Sequence, residues 1–323
     1  MTTADPFRID IHHHILPPFY LDAVINAGIA RSRGKAYPQW SEDLSLRMMD
    51  LHQIRTAITS ISTPHVHFGD GAKARALARR CNDFSAELRH RRPGRFGMFA
   101  VLPLPDVEGA CDEAVFALDK MKADGVVVLA SYGERFFGDP QFDPLFGVLD
   151  ARKAAVFVHP TQYPESAKLP LDLPLFVVEY PINTTRCALN LMTKSVPERF
   201  PNIAFVLAHG GGALPYLAWR LAIPRTPAVW ESDVHDKLRR FWFDIALAAG
   251  RSCLIAIKDV AGPQKILFGT DYPYTSELTA EWTVRDSMAP DALSAAEQAG
   301  MNYANASALF PRLASASHFV GVK

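Results

Sequence analysis

Eight short apolar segments constrain the fold of this chain more than any other feature. Each is rich in β-branched or aromatic residues and is bounded by glycine, proline or polar residues, a pattern typical of buried parallel strands. The predicted strands are Phe7–His13, Thr56–Ile61, Phe96–Leu102, Gly125–Ala130, Ala155–His159, Ile203–Ala208, Phe241–Ile245 and Ile266–Gly269.

The stretches between these segments carry apolar residues at steps of three and four, the period of an amphipathic helix. Helices are predicted at Ala72–Arg91, Asp106–Ala123, Pro144–Arg152, Thr185–Val196 and Ala295–Phe310. Strands that alternate with helices in this way favour a (β/α)8 TIM barrel, with residues 1–323 as a single domain. An open, doubly wound α/β sheet is the alternative, but no GxGxxG or P-loop motif follows any predicted strand.

The composition excludes several classes of protein. Hydrophobic residues make up 49% and charged residues 21% of the chain, and 34 basic residues balance 34 acidic ones, which argues against a general nucleic-acid binder. The apolar runs are shorter than the ~20 residues that span a bilayer, and the N-terminus lacks the pattern of a signal peptide. The four cysteines form no CxxC pair. We therefore expect a cytoplasmic protein without membrane or nucleic-acid partners.

Histidine and aspartate side chains stand at strand ends, where a barrel gathers its chemistry. His12 and His14 alternate on one face of the first strand and can converge on a metal ion, unless they are a chance cluster or an expression tag. His159 ends the fifth strand, where a lone histidine is more often a core residue, and Asp271 follows the eighth strand. Together these side chains suit Zn²⁺, or a similar ion such as Mn²⁺, with a position left for water or substrate.

A single ion is expected, because the fourth strand carries no lysine or glutamate that could bridge a second metal. His209, which precedes three glycines, is left as the acid–base group. His13 faces away and is expected to be structural, and Asp10 is expected to support the ligands from below. His65 and His67 follow the second strand. They could form a second metal pair, but pocket or loop hydrogen bonding is preferred, with His67 as the pocket member.

Three segments together resemble the amidohydrolase superfamily, and within it the branch typified by 2-amino-3-carboxymuconate-6-semialdehyde decarboxylase. The three segments are Ile9–Pro17, Phe200–Pro215 with its AHGGG sequence, and Leu267–Pro273. The resemblance extends from about residue 7 to residue 310. Further segments are similar to the 6-methylsalicylate type of aromatic-acid decarboxylase: Pro17–Tyr20, Pro38–Ser41 and Val66–Asp70.

The resemblance implies four metal ligands: His12, His14, His159 and Asp271. It also implies that His209 is the catalytic histidine and that Asp271 has a catalytic role in addition to binding the metal. It also implies that Arg220 contacts a substrate carboxylate, reaching a neighbouring subunit's site in a homodimer. A loop that carries another carboxylate-binding arginine in the muconate enzyme is much shorter here, which argues against the muconate itself as substrate. Arg31, Arg33 and Lys35 fall in that shortened loop.

The implied activity is metal-dependent, non-oxidative decarboxylation of a small hydroxybenzoate-like or muconate-type acid, with His209 moving the proton. Trp40, His67 and Tyr272 are the predicted substrate contacts, since aromatic residues near the rim favour a planar guest, although they could equally pack the loops. The same residues permit hydrolysis of an amide, lactone or C–C bond, so a metal-dependent hydrolase is the alternative. An inactive metal-binding scaffold would need a lost catalytic position, and both His209 and Asp271 are present.

Overall fold

Eight parallel strands, hydrogen-bonded in chain order, form a barrel. The computed structural model describes residues 7–29, 36–164, 168, 171–223 and 234–314. The barrel strands are β1 (Arg8–His14), β2 (Ile54–Ser60), β3 (Phe96–Val101), β4 (Gly125–Leu129), β5 (Ala155–His159), β6 (Ala204–Leu207), β7 (Phe241–Asp244) and β8 (Ile266–Leu267). Each predicted strand is present, so the prediction of a (β/α)8 barrel is confirmed.

Hydrogen bonds between β1 and the segment after β8 close the barrel. The Ile11 N–H donates to the Phe268 carbonyl at 3.0 Å, and the Asp271 N–H donates to the His12 carbonyl at 2.8 Å. The His14 N–H donates to the carbonyl of the residue after Asp271 at 2.7 Å. This seam between the first and last strands places His12, His14 and Asp271 side by side.

Helices surround the strands. They are α1 (Pro18–Asn26), α2 (Glu42–Leu51), α3 (Gly71–Arg91), α4 (Val107–Asp119), α5 (Asp143–Ala151), α6 (Glu179–Thr193), α7 (Val196–Arg199), α8 (Leu214–Leu221), α9 (Val234–Leu238), α10 (Arg251–Ala261), α11 (Glu277–Ser287), α12 (Ala295–Ala299), α13 (Asn305–Leu309) and α14 (Pro311–Ala314). None of the helices in the described ranges combines the length and apolarity that a membrane span needs.

Three of the five predicted helices differ from the observed ones by more than one residue at an end. Asp106 caps α4 from outside, because its side chain accepts the Gly109 N–H, and the helix ends at Asp119. Helix α6 begins six residues before Thr185, at Glu179; Pro181 is tolerated there because N–H groups of the first turn have no partner within the helix. The predicted helix Ala295–Phe310 is interrupted by a π-turn between α12 and α13.

Aromatic side chains fill the barrel beneath its C-terminal end. Phe99 and Phe157 stack with ring centroids 5.5 Å apart, and the edge of Phe157 meets the His12 ring at 4.8 Å. Both phenylalanines are buried, and full burial of such a side chain contributes roughly 1.5–3 kcal/mol. The apolar floor therefore separates the strand ends from the rest of the barrel interior.

Candidate metal centre and active site

Four buried side chains at the C-terminal ends of β1, β5 and β8 converge on one point. One ligand atom from each of His12, His14, His159 and Asp271 lies within 4.8 Å of all the others. The two first-strand Nε2 atoms are 3.0 Å apart, and Asp271 Oδ1 lies 3.4 Å from His12 Nε2 and 3.1 Å from His14 Nε2. The structure thus brings together all four predicted ligands.

Hydrogen bonds to Nδ1 set the tautomers of two of these rings. His12 Nδ1 lies 2.9 Å from Asp244 Oδ2, and His159 Nδ1 lies 2.8 Å from the Pro160 carbonyl oxygen. A carbonyl and an ionised carboxylate only accept hydrogen bonds, so each Nδ1–H is the donor. In the neutral rings the Nε2 lone pairs therefore face the cluster.

The third ring follows the same arrangement. The Ser60 oxygen lies 2.8 Å from His14 Nδ1, and when it accepts from the Nδ1–H, its own hydroxyl donates to the His13 carbonyl at 3.4 Å. His14 Nε2 then also presents a lone pair, 3.0 Å from that of His12. Two lone pairs and a carboxylate at these distances repel one another unless a proton or a metal cation lies between them. Three imidazole nitrogens and one carboxylate oxygen are a donor set that a divalent metal ion accepts.

The charges around the cluster act on its rings in opposite directions. Burial lowers the pKa of His12, but the Asp244 and Asp271 carboxylates outweigh burial and raise this pKa to about 10. Burial, with His14 and His12 nearby, lowers the pKa of His159 well below its ordinary value. A cation in the cluster would take the place of the proton that the two carboxylates otherwise attract to His12.

His209 lies beside the cluster, immediately after β6. Its Nδ1 is 2.9 Å from the Ala246 carbonyl oxygen, to which it donates, while its Nε2 has no hydrogen-bond partner within the described residues. The His209 ring centroid is 4.9 Å from that of His12. Burial, and then His12, lower the pKa of His209, which favours the neutral ring with an available Nε2 lone pair.

The glycines after His209 allow the chain to turn tightly here. His209 has a φ of 56°, and the next three residues also have positive φ. A Cβ on Gly212 would stand 2.0 Å from the Pro181 carbonyl oxygen, and a Cβ on Gly211 would stand 2.7 Å from the Phe243 ring. Only glycine fits these two positions, and the turn holds the His209 ring at the barrel mouth.

Asp244, at the end of β7, is a site residue that sequence reasoning missed. Its Oδ2 accepts from His12 Nδ1, and its Oδ1 accepts from the backbone N–H groups of His209, at 3.2 Å, and Ala246, at 2.8 Å. One buried carboxylate therefore orients both a predicted ligand and the predicted acid–base group. The signal was present, because Asp244 ends an apolar strand just as Asp271 follows one.

An apolar cavity of about 510 Å³ opens beside His209, between α8 and α10. A cavity of this size accommodates a small aromatic molecule. Most of the residues that line it are apolar, and they include Phe176, Val177, Pro181, Leu247, Ala248 and Ile257.

The sequence matches the family model described as Amidohydrolase over residues 9–312. The chain belongs to the amidohydrolase family. The resemblance of the three sequence segments to this family is therefore confirmed.

The chain is similar to two fungal decarboxylases and to a bacterial decarboxylase of known structure. Decarboxylase yanB of Aspergillus niger is 36% identical over 297 residues, which cover 86% of this chain and 80% of that protein. The 6-methylsalicylic acid decarboxylase of Penicillium expansum is 34% identical, with 82% of this chain and 85% of that protein covered. A solved dihydroxybenzoic acid decarboxylase of Polaromonas sp., with bound manganese and the inhibitor 2-nitroresorcinol, has a TM-score of 0.80 at 26% identity and covers 98% of this chain and 99% of its own.

Two predicted substrate contacts of this amidohydrolase lie beside His13 rather than beside the four ligands. The Trp40 indole N–H donates to Ser45 Oγ at 2.9 Å, and the same oxygen lies 2.9 Å from His13 Nε2. The Tyr272 ring packs against His13 with centroids 5.3 Å apart. The structure therefore places Trp40 and Tyr272 around the histidine that faces away from the cluster, as strand alternation predicted for His13.

Tyr274, rather than Tyr272, packs edge-on against His14, with ring centroids 5.4 Å apart. The other two predicted substrate contacts are His67 and Arg220. His67 lines a second cavity and is only partly buried. Arg220 is exposed on α8 and forms no ion pair with any residue in the described part of the chain. Three basic residues of the shortened loop lie outside the described residues: Arg31, Arg33 and Lys35.

Asp10 supports the site differently from the expectation. Strand alternation placed it on the face of His12, but the pairing of β1 with β2 shifts register between Asp10 and His13, and the Asp10 carboxylate lies 3.3 Å from His13 Nδ1. Asp10 also accepts from the His12 N–H at 3.0 Å and from the Thr270 hydroxyl at 2.6 Å. It therefore fixes the backbone of β1 and the segment after β8, while Asp244 orients the His12 ring.

Replacing Asp244 with asparagine is expected to weaken metal binding by about 10- to 100-fold, the usual effect of losing a carboxylate that orients a ligating histidine. The amide keeps the shape but loses the charge that polarises His12. The measurement is the dissociation constant for Zn²⁺ in a competition titration with a chelator. Asp259→Asn, on α10 away from the cluster, is the matched control, and equal zinc affinity in both variants would contradict the assigned role.

Proposed function

We propose that this amidohydrolase is a metal-dependent, non-oxidative decarboxylase of a small hydroxybenzoate-like acid. The observation that carries the proposal is the convergence of three imidazoles and one carboxylate. Beside them lies His209 Nε2, which has no hydrogen-bond partner among the described residues. The names of the similar proteins favour decarboxylation over the hydrolysis that the same residues permit.

In this proposal the four convergent side chains hold one divalent ion, with Zn²⁺ as the first candidate because nitrogen donors predominate. Mn²⁺ is the alternative, since the Polaromonas decarboxylase was solved with manganese. One ion fits better than two, because the other group of potential ligands among the described residues, with His209 and Asp244, shares His12 with the first. When bound, the ion supplies positive charge that holds the substrate carboxylate and withdraws electron density.

The chemistry assigned to His209 follows from a difficulty of the reaction. Direct loss of CO2 from an aromatic carbon leaves an electron pair in the plane of the ring, where the π system cannot delocalise it. His209 Nε2, with its lone pair available, takes a proton from the substrate hydroxyl and transfers it to the ring carbon that bears the carboxylate. The C–C bond then breaks, its electrons restore the aromatic ring, and CO2 leaves. The other product is a phenolate, which takes up a proton from water to give the phenol. The Ala246 carbonyl holds Nδ1–H throughout and stabilises the protonated ring.

The test of the proposed function is a panel of acids offered to the metal-loaded protein. We expect CO2 and the corresponding phenol from at least one member of a set containing salicylate, 6-methylsalicylate and 2,6-dihydroxybenzoate. Aryl amides and lactones of matched size are offered in parallel. Hydrolysis of one of these, without CO2 release from any acid, would replace the decarboxylase with the hydrolase.

We also propose a homodimer in the cytoplasm, in which Arg220 reaches the substrate in the partner subunit's site. Helix α8 presents Tyr216 and Trp219 beside Arg220, and these two aromatic side chains are 82% and 79% exposed. Large exposed aromatic residues next to an arginine are common at protein interfaces. The four cysteines are free thiols, which supports a reducing compartment.

Arg220→Ala and Arg220→Lys should each raise KM for the acid by about 10- to 100-fold without loss of metal. Arginine binds a carboxylate through two hydrogen bonds, a geometry that lysine does not offer. Steady-state kinetics and elemental analysis provide the measurements. Mixing Arg220→Ala chains with His209→Asn chains should restore some activity, because one hybrid site then holds both groups. An unchanged KM, or a monomer at assay concentration, would remove the proposal.

A further inference from the structure

A second cavity, of about 360 Å³, opens at the ends of β2 to β5. It lies in a different part of the barrel mouth from the cavity beside His209, which follows β6. Among the residues that line it, several offer polar side chains: His65, His67, Ser131, Tyr132, Thr161 and Gln162. This cavity is not used by the mechanism described above.

His65 differs from its polar neighbours in this cavity. Its side chain is buried, with 1% of the residue exposed, and neither ring nitrogen has a hydrogen-bond partner within the residues that the structure describes. Its φ of 62° is in the left-handed region. Burial first, and then His14, lower the pKa of His65 to about 3, so its ring is neutral at physiological pH and offers one donor and one acceptor.

Three of the polar side chains that line the cavity with His65 are engaged with other groups. Thr161 Oγ1 lies 2.9 Å from Thr63 Oγ1, and Ser131 Oγ accepts from the Asn183 amide at 3.0 Å. The Tyr132 hydroxyl accepts from a backbone N–H at 2.8 Å. A buried donor and acceptor without partners are unfavourable, and such groups in a folded protein are commonly completed by a ligand or a water molecule.

Segments on two sides of this cavity also reach the ligand cluster. Thr161, on its wall, follows His159 by two residues, and Ser62 Oγ, close to His65 in sequence, lies 3.4 Å from His159 Nε2. The Ser62 carbonyl accepts from the His65 N–H at 2.9 Å, so the turn that carries His65 begins at a residue whose side chain lies beside His159. A molecule bound at the cluster can therefore extend a substituent toward His65.

We propose that His65 determines substrate specificity by hydrogen-bonding a second hydroxyl group on the aromatic ring, in addition to the carboxylate and its neighbouring hydroxyl. A neutral imidazole, which both donates and accepts, matches a hydroxyl group and leaves a methyl group unmatched. The inference rests on the proposed decarboxylase function and adds the class of substrate, a dihydroxybenzoate.

The test compares ligand pairs that differ only by a hydroxyl or a methyl group at ring positions 3 to 6 of salicylate. Dissociation constants are measured by calorimetry on metal-loaded His209→Asn protein, so that turnover does not interfere. At one ring position, we expect the hydroxyl member to bind at least about tenfold more tightly than the methyl member, since the methyl group leaves buried polar groups unpaired. Adding His65→Phe should abolish this preference while leaving the affinity for the methyl member similar.

His65→Asn is the second variant, because asparagine tolerates a positive φ and retains an amide donor and acceptor; it should keep part of the preference. His52→Phe, a buried histidine before β2, is the matched control and should leave the preference unchanged. Equal affinity for both members at every position, or equal weakening of both by His65→Phe, would overturn the inference and indicate a water molecule on His65. Failure of every acid to release CO2 from the unmodified protein would instead overturn the proposed function.

Discussion

Replacing His12 or His159 with alanine is expected to remove the metal ion and to abolish turnover. Each residue supplies one of the three imidazole nitrogens that converge with Asp271. A site with one ligand missing holds a divalent ion far more weakly, because ion binding depends on the complete set of deprotonated donors. The metal content, measured by elemental analysis after gel filtration, should fall from one equivalent per chain to a trace. CO2 release should fall below detection.

The control for this pair is His90→Ala, which removes an exposed imidazole from α3. It should retain both metal and activity, and circular dichroism should show the same helix content in all three variants. A folded His12→Ala or His159→Ala protein that still carries one equivalent of metal would contradict the assigned ligands. Two equivalents in the unmodified protein would contradict the single-ion site.

His209→Asn is expected to lower kcat by roughly 10²- to 10⁴-fold, the range for a lost acid–base group. Asparagine is the suitable replacement, since it tolerates the positive φ at this position and its amide can still donate to the Ala246 carbonyl. It cannot carry a proton to the ring carbon. Stopped-time assays of CO2 release, with metal content measured on the same samples, provide the comparison.

Metal content should stay near that of the unmodified protein in His209→Asn. If this variant instead lost its metal, His209 would be a ligand and the roles of His209 and its neighbours would have to be exchanged. The structure makes that comparison informative, because His209 also belongs to a second group of potential ligands, with His12 and Asp244.

The strand ends could be predicted from sequence because their signal is local. In a barrel, a polar residue such as His159 or Asp271 at the end of a buried apolar strand can lie almost nowhere except at the barrel mouth. Asp244 carries the same signal. Its hydrogen bonds to His12 and His209, however, depend on how β1, β6 and β7 approach one another around the barrel, and no property of its own segment encodes that approach.

The loops could not be predicted in the same way. After β2, strand alternation allowed both His65 and His67 to point inward, with His67 predicted as the pocket member. A left-handed conformation at His65 turns the chain and buries the His65 ring, and both residues line the second cavity. Alternation likewise does not settle whether Tyr272 or Tyr274 faces the ligands. In a loop, the backbone path follows from packing against neighbouring loops rather than from a strand period.

The seam between the first and last strands has a consequence for how the protein is assembled. His12, on β1, and Asp271, after β8, contribute to one cluster from the first and last strands of the barrel, and the Asp271 N–H is bonded to the His12 carbonyl. An ion held there would join the two ends as a cross-link does, so its binding free energy would add to the stability of the closed barrel. A nascent or truncated chain that ends before Asp271 lacks the carboxylate ligand and should bind the ion far more weakly, so tight binding of the ion depends on a closed barrel.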